Sequence, residues 1–96
     1  MLGENSCIFA GTTKNIKVFK GEAEHGPWVM TRLSLVLAPS AEFSQEIKLI
    51  AWNSIAERLE SIGEGKPIKV LTWYNPSMYM GKLQDTFEID SLVDLK

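Results

Sequence analysis

Bond-making side chains are scarce in this 96-residue chain, which holds one histidine, His25, and one cysteine, Cys7. A cysteine nucleophile needs a base within hydrogen-bond reach. Cys7 instead sits in an apolar, strand-like run that argues for a small packed side chain. Glu22, Glu24 and His25 come nearest to a metal cluster, but their spacing fits no structural zinc pattern, and a solvated acidic turn is the expectation. Gly63-Glu64-Gly65 follows a helical pattern rather than preceding one, so it is no phosphate-cradling loop. These residues argue against an enzyme, a metal site or a cofactor, and leave recognition. Flat π-surfaces flanked by cations suit planar bases strung on an anionic backbone. Trp52, Trp73 and Tyr79 are the candidate platforms, and Arg32, Lys48, Lys69 and Lys82 the candidate phosphate contacts.

Each aromatic has a plainer reading. Trp52 could be a core residue beneath a helix. Trp73 could plug one end of the fold or line an oligomer interface. Trp28, after Gly26-Pro27, reads as packing at a strand start. Tyr74, Met78 and Met80 make an apolar loop of the kind that also contacts proteins. The net charge of −2 runs against phosphate binding, but distribution matters more than the sum. Residues 5–20 and 65–82 each carry three lysines and no acid. The acids gather at Glu22 and Glu24, at Glu57, Glu60 and Glu64, and at Asp85, Glu88, Asp90 and Asp94. A basic face on an acidic molecule is consistent with this layout, as is an ordinary solvated surface.

The elements that must position these residues can be read from periodicity. Residues 5–20, rich in Ile, Val, Phe and Thr, predict one long strand bent or bulged near Gly11. Residues 28–37 predict a second, with Thr31, Leu33, Leu35 and Leu37 on one face and Met30, Arg32, Ser34 and Val36 on the other. Residues 45–52 predict a third, with Ile47, Leu49 and Ala51 inward and Glu46, Lys48, Ile50 and Trp52 outward. An outward Ile50 and Trp52 beside a lysine is unusual for an idle solvent face. Residues 54–62 predict a helix from the Ile55, Leu59, Ile62 stripe, a Ser54/Glu57 capping box and a glycine stop at Gly63 and Gly65. A fourth strand follows over 68–74, then a turn-rich loop over 75–81. A last strand spans 82–93, with a bend near Asp90.

Residues 1–96 therefore predict a single all-β domain. It is a five-stranded Greek-key barrel of the oligonucleotide-binding (OB) kind, with one short helix between strands three and four. An immunoglobulin-like sandwich needs about seven strands. The longest apolar run is too short for a membrane span, and the first residues carry no signal-peptide pattern. The expected location is the reducing cytoplasm.

With these elements laid out, the chain resembles the bacterial single-stranded DNA-binding protein family. Asn5-Ser6-Cys7-Ile8-Phe9-Ala10-Gly11 resembles the family's opening strand. Trp52-Asn53-Ser54-Ile55-Ala56-Glu57 resembles its junction of an aromatic, a short turn and a helix start. Gly65-Lys66-Pro67-Ile68-Lys69-Val70 resembles the entry to its fourth strand. These motifs run in the family's order over nearly the whole chain. A small barrel without the family's long tail is closer in form to primosomal replication protein B, or to the short stand-alone relatives of cyanobacteria and plastids.

The resemblance implies base stacking on Trp52 and on Tyr79, with little sequence preference. The partner it implies is single-stranded DNA or RNA, within DNA replication. It also implies a homodimer or homotetramer paired through residues 5–9. An upstream aromatic of the family is replaced by Glu46, and Phe43 lies near another. Strand four carries Thr72-Trp73-Tyr74 where the family continues with Gly and a basic strand. The family's acidic-tipped tail has no counterpart here, so recruitment of partners through such a tail is not expected. The alternative is an OB barrel that has lost nucleic-acid binding and serves as a protein-interaction subunit.

Overall fold

The computed structural model describes residues 6–37 and 45–93, apart from the side chains of Ser77 and Tyr79. Five strands close a barrel: β1 (Ser6–Ala23), β2 (Gly26–Leu37), β3 (Gln45–Trp52), β4 (Pro67–Tyr74) and β7 (Thr86–Val93). Their order around the barrel is β1-β2-β3-β7-β4, and β4 pairs back onto β1. Neighbours are antiparallel except β3 and β7, which run parallel at Lys48–Thr86, Leu49–Phe87 and Ile50–Glu88. One helix, α1 (Asn53–Ile62), joins β3 to β4. A small hairpin, β5 (Ser77–Tyr79) and β6 (Lys82–Gln84), joins β4 to β7. This is the expected five-stranded OB barrel with its helix between the third and fourth barrel strands. Among the described residues no helix is long and apolar enough to cross a membrane.

Period-two alternation builds the core. Leu33, Leu35, Leu49, Ala51, Ile68, Val70 and Ile89 are buried from four strands, and Ala56 and Leu59 from the helix. Phe9, Ile47, Ile55, Ile62 and Phe87 pack around them. The helix closes one end of the barrel. There the Thr31 hydroxyl donates to the Ala56 carbonyl oxygen at 3.2 Å. Phe9 and Phe87, packed against this core, belong to an aromatic cluster. Phe87 meets Phe9 at 5.1 Å and Tyr74 at 5.5 Å between ring centroids, both edge-to-face.

Local details depart from the sequence reading at four places. The β1 irregularity lies between Lys14 and Lys17, not at Gly11. Asn15 there adopts φ 55°, which a short polar side chain tolerates best among non-glycine residues. Gly11 instead lets β2 approach: a Cβ at that position would lie 2.5 Å from the Val36 carbonyl oxygen. The predicted capping box is absent. The helix begins at Asn53 with Trp52 at its N-cap and no side-chain cap, so Ser54 already lies inside the first turn. Cys7 is half-buried rather than buried. Finally, the predicted last strand is broken into β6 and β7 at Asp85. The loop before it is a hairpin turning at Met80 (φ 51°) and Gly81 (φ 78°), the left-handed pair of a type I′ turn. The bend expected near Asp90 is present: Leu71 pairs with Ser91 and Thr72 with Ile89, so Asp90 is skipped. The glycine stop is present as well, with the Gly63 N–H donating to the Leu59 carbonyl oxygen at 3.0 Å.

Candidate nucleic-acid interface

The outer face of β1, β2 and β3 gathers cations and large apolar side chains in rows set by strand register. One row is Phe19–Met30–Trp52 and the next is Lys17–Arg32–Ile50. A third pairs Ser34 with Lys48. The strands lie about 4.8 Å apart, so Phe19 and Trp52, two strands apart, stand roughly 10 Å from each other. Phe19 and Trp52 are each 43% exposed, far more than a core aromatic would be.

A groove of about 710 Å³ runs over this face. Its walls include Lys17, Arg32 and Lys48 with Phe19, Met30 and Ile50, and Gln84 and Thr86 stand at its β7 side. The lining residues comprise three cations and no acid, which reconciles a basic groove with a net charge of −2. The Lys48 ammonium donates to the Ser34 hydroxyl at 3.0 Å, which holds it over the sheet. Lys14 is engaged differently: its ammonium meets the Glu46 carboxylate at 2.9 Å beside the groove.

The residues singled out by sequence divide into separate places. Arg32 and Lys48 line the groove, and Trp52 extends its Phe19–Met30 row. Trp73 is 39% exposed, but it lies on β4 between Ser6 of β1 and Glu88 of β7. Lys69 lies on the same strand and lines a smaller cleft of about 180 Å³ with Arg58, Ile62 and Leu92. Lys69 and Trp73 therefore do not adjoin Arg32 and Lys48, because β4 borders β1 and β7 rather than β2 or β3. Lys82 stands exposed on the hairpin opposite the backbone of Tyr79. The Tyr79 side chain, Asn5 and Phe43 lie outside the described residues.

Sequence reasoning missed Lys17 and Phe19 as groove residues. One extra residue in β1 between Lys14 and Lys17, against Ser34 to Arg32 on β2, puts Lys17 opposite Arg32 and Phe19 opposite Met30. The available signal was Asn15, a residue type suited to a left-handed bulge position. Among the described residues no group of histidines, cysteines or acids is arranged to hold a metal.

Barrel topology, helix placement and groove together define an oligonucleotide-binding fold. Solved structures share it closely. The single-stranded DNA-binding domain of a Synechococcus sp. protein matches with a TM-score of 0.70 at 12% identity, over 96% of this chain and 97% of that one. The small single-stranded DNA-binding protein of Streptomyces coelicolor matches at 0.64 and 12%, over 97% and 94% of the two chains. The protein priB of Ralstonia solanacearum matches at 0.63 and 18%, over 95% and 98%. No protein-family model matches the sequence, and no curated protein does. The shared property is the fold.

Proposed function

We propose that the groove across β1, β2 and β3 binds single-stranded DNA, with bases on the Phe19–Met30–Trp52 row and phosphates on Lys17, Arg32 and Lys48. The observation that carries this reading is that two exposed aromatics, Phe19 and Trp52, share a row beside Lys17 and Arg32 on one face. Stacking on aromatic faces and contact with phosphates do not depend on base identity, so little sequence preference is expected. Support also comes from the fold, which is that of proteins named for single-stranded DNA binding.

The test is a titration with oligo-dT at low and high salt, read by tryptophan fluorescence. Stacking should quench Trp52, and salt should weaken binding in proportion to the phosphates contacted. Absence of quenching at low salt overturns the reading, and an equal response to oligo-U extends it to RNA. Self-association belongs to the same proposal. Ile8 is 50% exposed, and with Leu71 and Trp73 it forms an apolar strip on the β1–β4 side, away from the groove. Sedimentation of Ile8→Lys should show smaller particles than the parent protein with the groove's binding retained.

A further inference from the structure

Trp52 stands at the very end of β3, with β-region backbone and a helix starting behind it. An exposed indole at such a corner has several staggered orientations open to it, and a stacking platform works best when held in one. We infer that Trp28 and Gly21 form a seat that fixes the Trp52 ring, making Trp28 a positioning residue of the groove. This rests on the reading of Trp52 as a stacking surface.

Three observations carry it. Gly21 and Trp28 are cross-strand partners on β1 and β2. A Cβ on Gly21 would fall 2.4 Å from Cζ2 and 2.6 Å from Cε2 of Trp28. The Trp28 indole therefore lies against the bare glycine backbone, and any side chain at position 21 would push it away. Aromatic cover of a cross-strand glycine pins such a ring to the sheet. The pinned ring then meets Trp52 edge-to-face, at 6.0 Å between centroids and 63° between planes, within the preferred range for aromatic pairs.

The backbone at this corner is tied as well. Asn53 adopts φ 52°, and its Oδ1 accepts from the Val29 N–H at 3.3 Å. One bond thus links the residue after Trp28 to the residue after Trp52. Trp28 is half-buried while Trp52 is 43% exposed. The first ring supports and the second presents its surface.

A double-mutant cycle on fluorescein-labelled oligo-dT tests the inference, because its anisotropy does not depend on tryptophan emission. Trp28→Ala should weaken binding about three- to tenfold, and should cost nothing further in a Trp52→Ala background. Equal losses in both backgrounds would mean that Trp28 contacts DNA itself or merely stabilises the fold, and would overturn the inference. Gly21→Ala is the second variant; it keeps both tryptophans, displaces the Trp28 ring and should reproduce the Trp28→Ala loss.

A ligand-free readout separates this idea from the binding proposal. The indole 15N relaxation of Trp52 should show a lower order parameter in Trp28→Ala and Gly21→Ala. An unchanged order parameter sinks the seat even if DNA binds. Failure of the parent protein to bind oligo-dT sinks the binding proposal while leaving the seat to be judged by relaxation.

Discussion

The Tyr74 hydroxyl donates to the Asp85 carboxylate across 2.6 Å, joining the end of β4 to the break between β6 and β7. Beside it the Asn75 N–H donates to the Thr86 carbonyl oxygen at 2.9 Å. These two bonds close the base of the β5–β6 hairpin, whose Met78, Met80 and Leu83 are exposed. They also fix the approach of Gln84 and Thr86 to the groove.

That pairing gives a pH dependence with a definite sign. The hydrogen bond to Asp85, then burial, then the Asp85 charge push the Tyr74 hydroxyl above its ordinary value. A raised value means the protonated phenol is favoured in the folded state. Its contribution is therefore complete below the unfolded value of about 10 and is lost as pH climbs through the folded one. Ring carbon shifts of Tyr74 should titrate above those of a model tyrosine, and Asp85→Asn should lower the midpoint. Hydrogen exchange at the hairpin should accelerate in Tyr74→Phe already at neutral pH. An unmoved midpoint in Asp85→Asn would show the pair to be incidental.

Removing a stacking surface should weaken binding without unfolding the barrel. A base–aromatic stack is worth about 1–3 kcal/mol. Trp52→Ala is accordingly expected to weaken oligo-dT binding at least about tenfold. Phe19→Ala, on the same row, should show a loss of similar size. Far-ultraviolet dichroism of both variants should match the parent, because both side chains are 43% exposed. A Trp52→Ala protein that loses its fold would return this residue to the core.

Salt dependence separates groove cations from those elsewhere. Each phosphate contact on a single strand adds about 0.7 to the slope of log affinity against log salt. Lys17→Ala, Arg32→Ala and Lys48→Ala should each flatten the slope by about that amount. Lys69→Ala is the comparison, since Lys69 lies in the separate cleft with Arg58, and its slope should stay at the parent value. Isothermal titrations at several salt concentrations read all four, and equal flattening by Lys69→Ala would move the DNA path off this face.

The core was legible because it follows from local periodicity. Thr31, Leu33 and Leu35 share a parity, as do Leu49 and Ala51, and all five are buried. Leu59 on the helix stripe is buried with them. What was not legible depends on pairing between distant segments. The bulge at Asn15 decides which face Lys17 and Phe19 occupy, and their partners Arg32 and Met30 are set by register. The separation of Lys69 and Trp73 from the groove follows from β4 closing onto β1 and β7. Strand order of that kind leaves no trace in either strand's own alternation. The capping box failed for a local reason: the helix starts at Asn53, whose side chain turns to Val29, so Ser54 lies inside the first turn and not at the cap.

A hydrogen-bonded joint holds β1 to the turn after the helix. Thr13 is buried, and its hydroxyl donates to the Gly63 carbonyl oxygen at 2.7 Å. The Thr13 hydroxyl oxygen in turn accepts from the Lys66 N–H at 3.1 Å. The Thr13 N–H donates to the Lys66 carbonyl oxygen at 2.9 Å, and the Gly65 N–H donates to the Thr13 carbonyl oxygen at 2.8 Å. Thr13→Val keeps the side chain's shape and deletes the two hydroxyl bonds, leaving a backbone donor and an acceptor without that partner. Loss of a hydrogen bond that strands a buried group costs about 1–3 kcal/mol, which for a domain of this size lowers Tm by at least about 4 °C. Ser54→Ala is the counterpart. A true N-cap would lose about 1 kcal/mol; with Ser54 exposed inside the helix and capping nothing, the change should stay within about 0.5 kcal/mol. Thermal unfolding of the two variants beside the parent reads both. A large loss in Ser54→Ala with none in Thr13→Val would place the joint at the helix start instead of at Thr13.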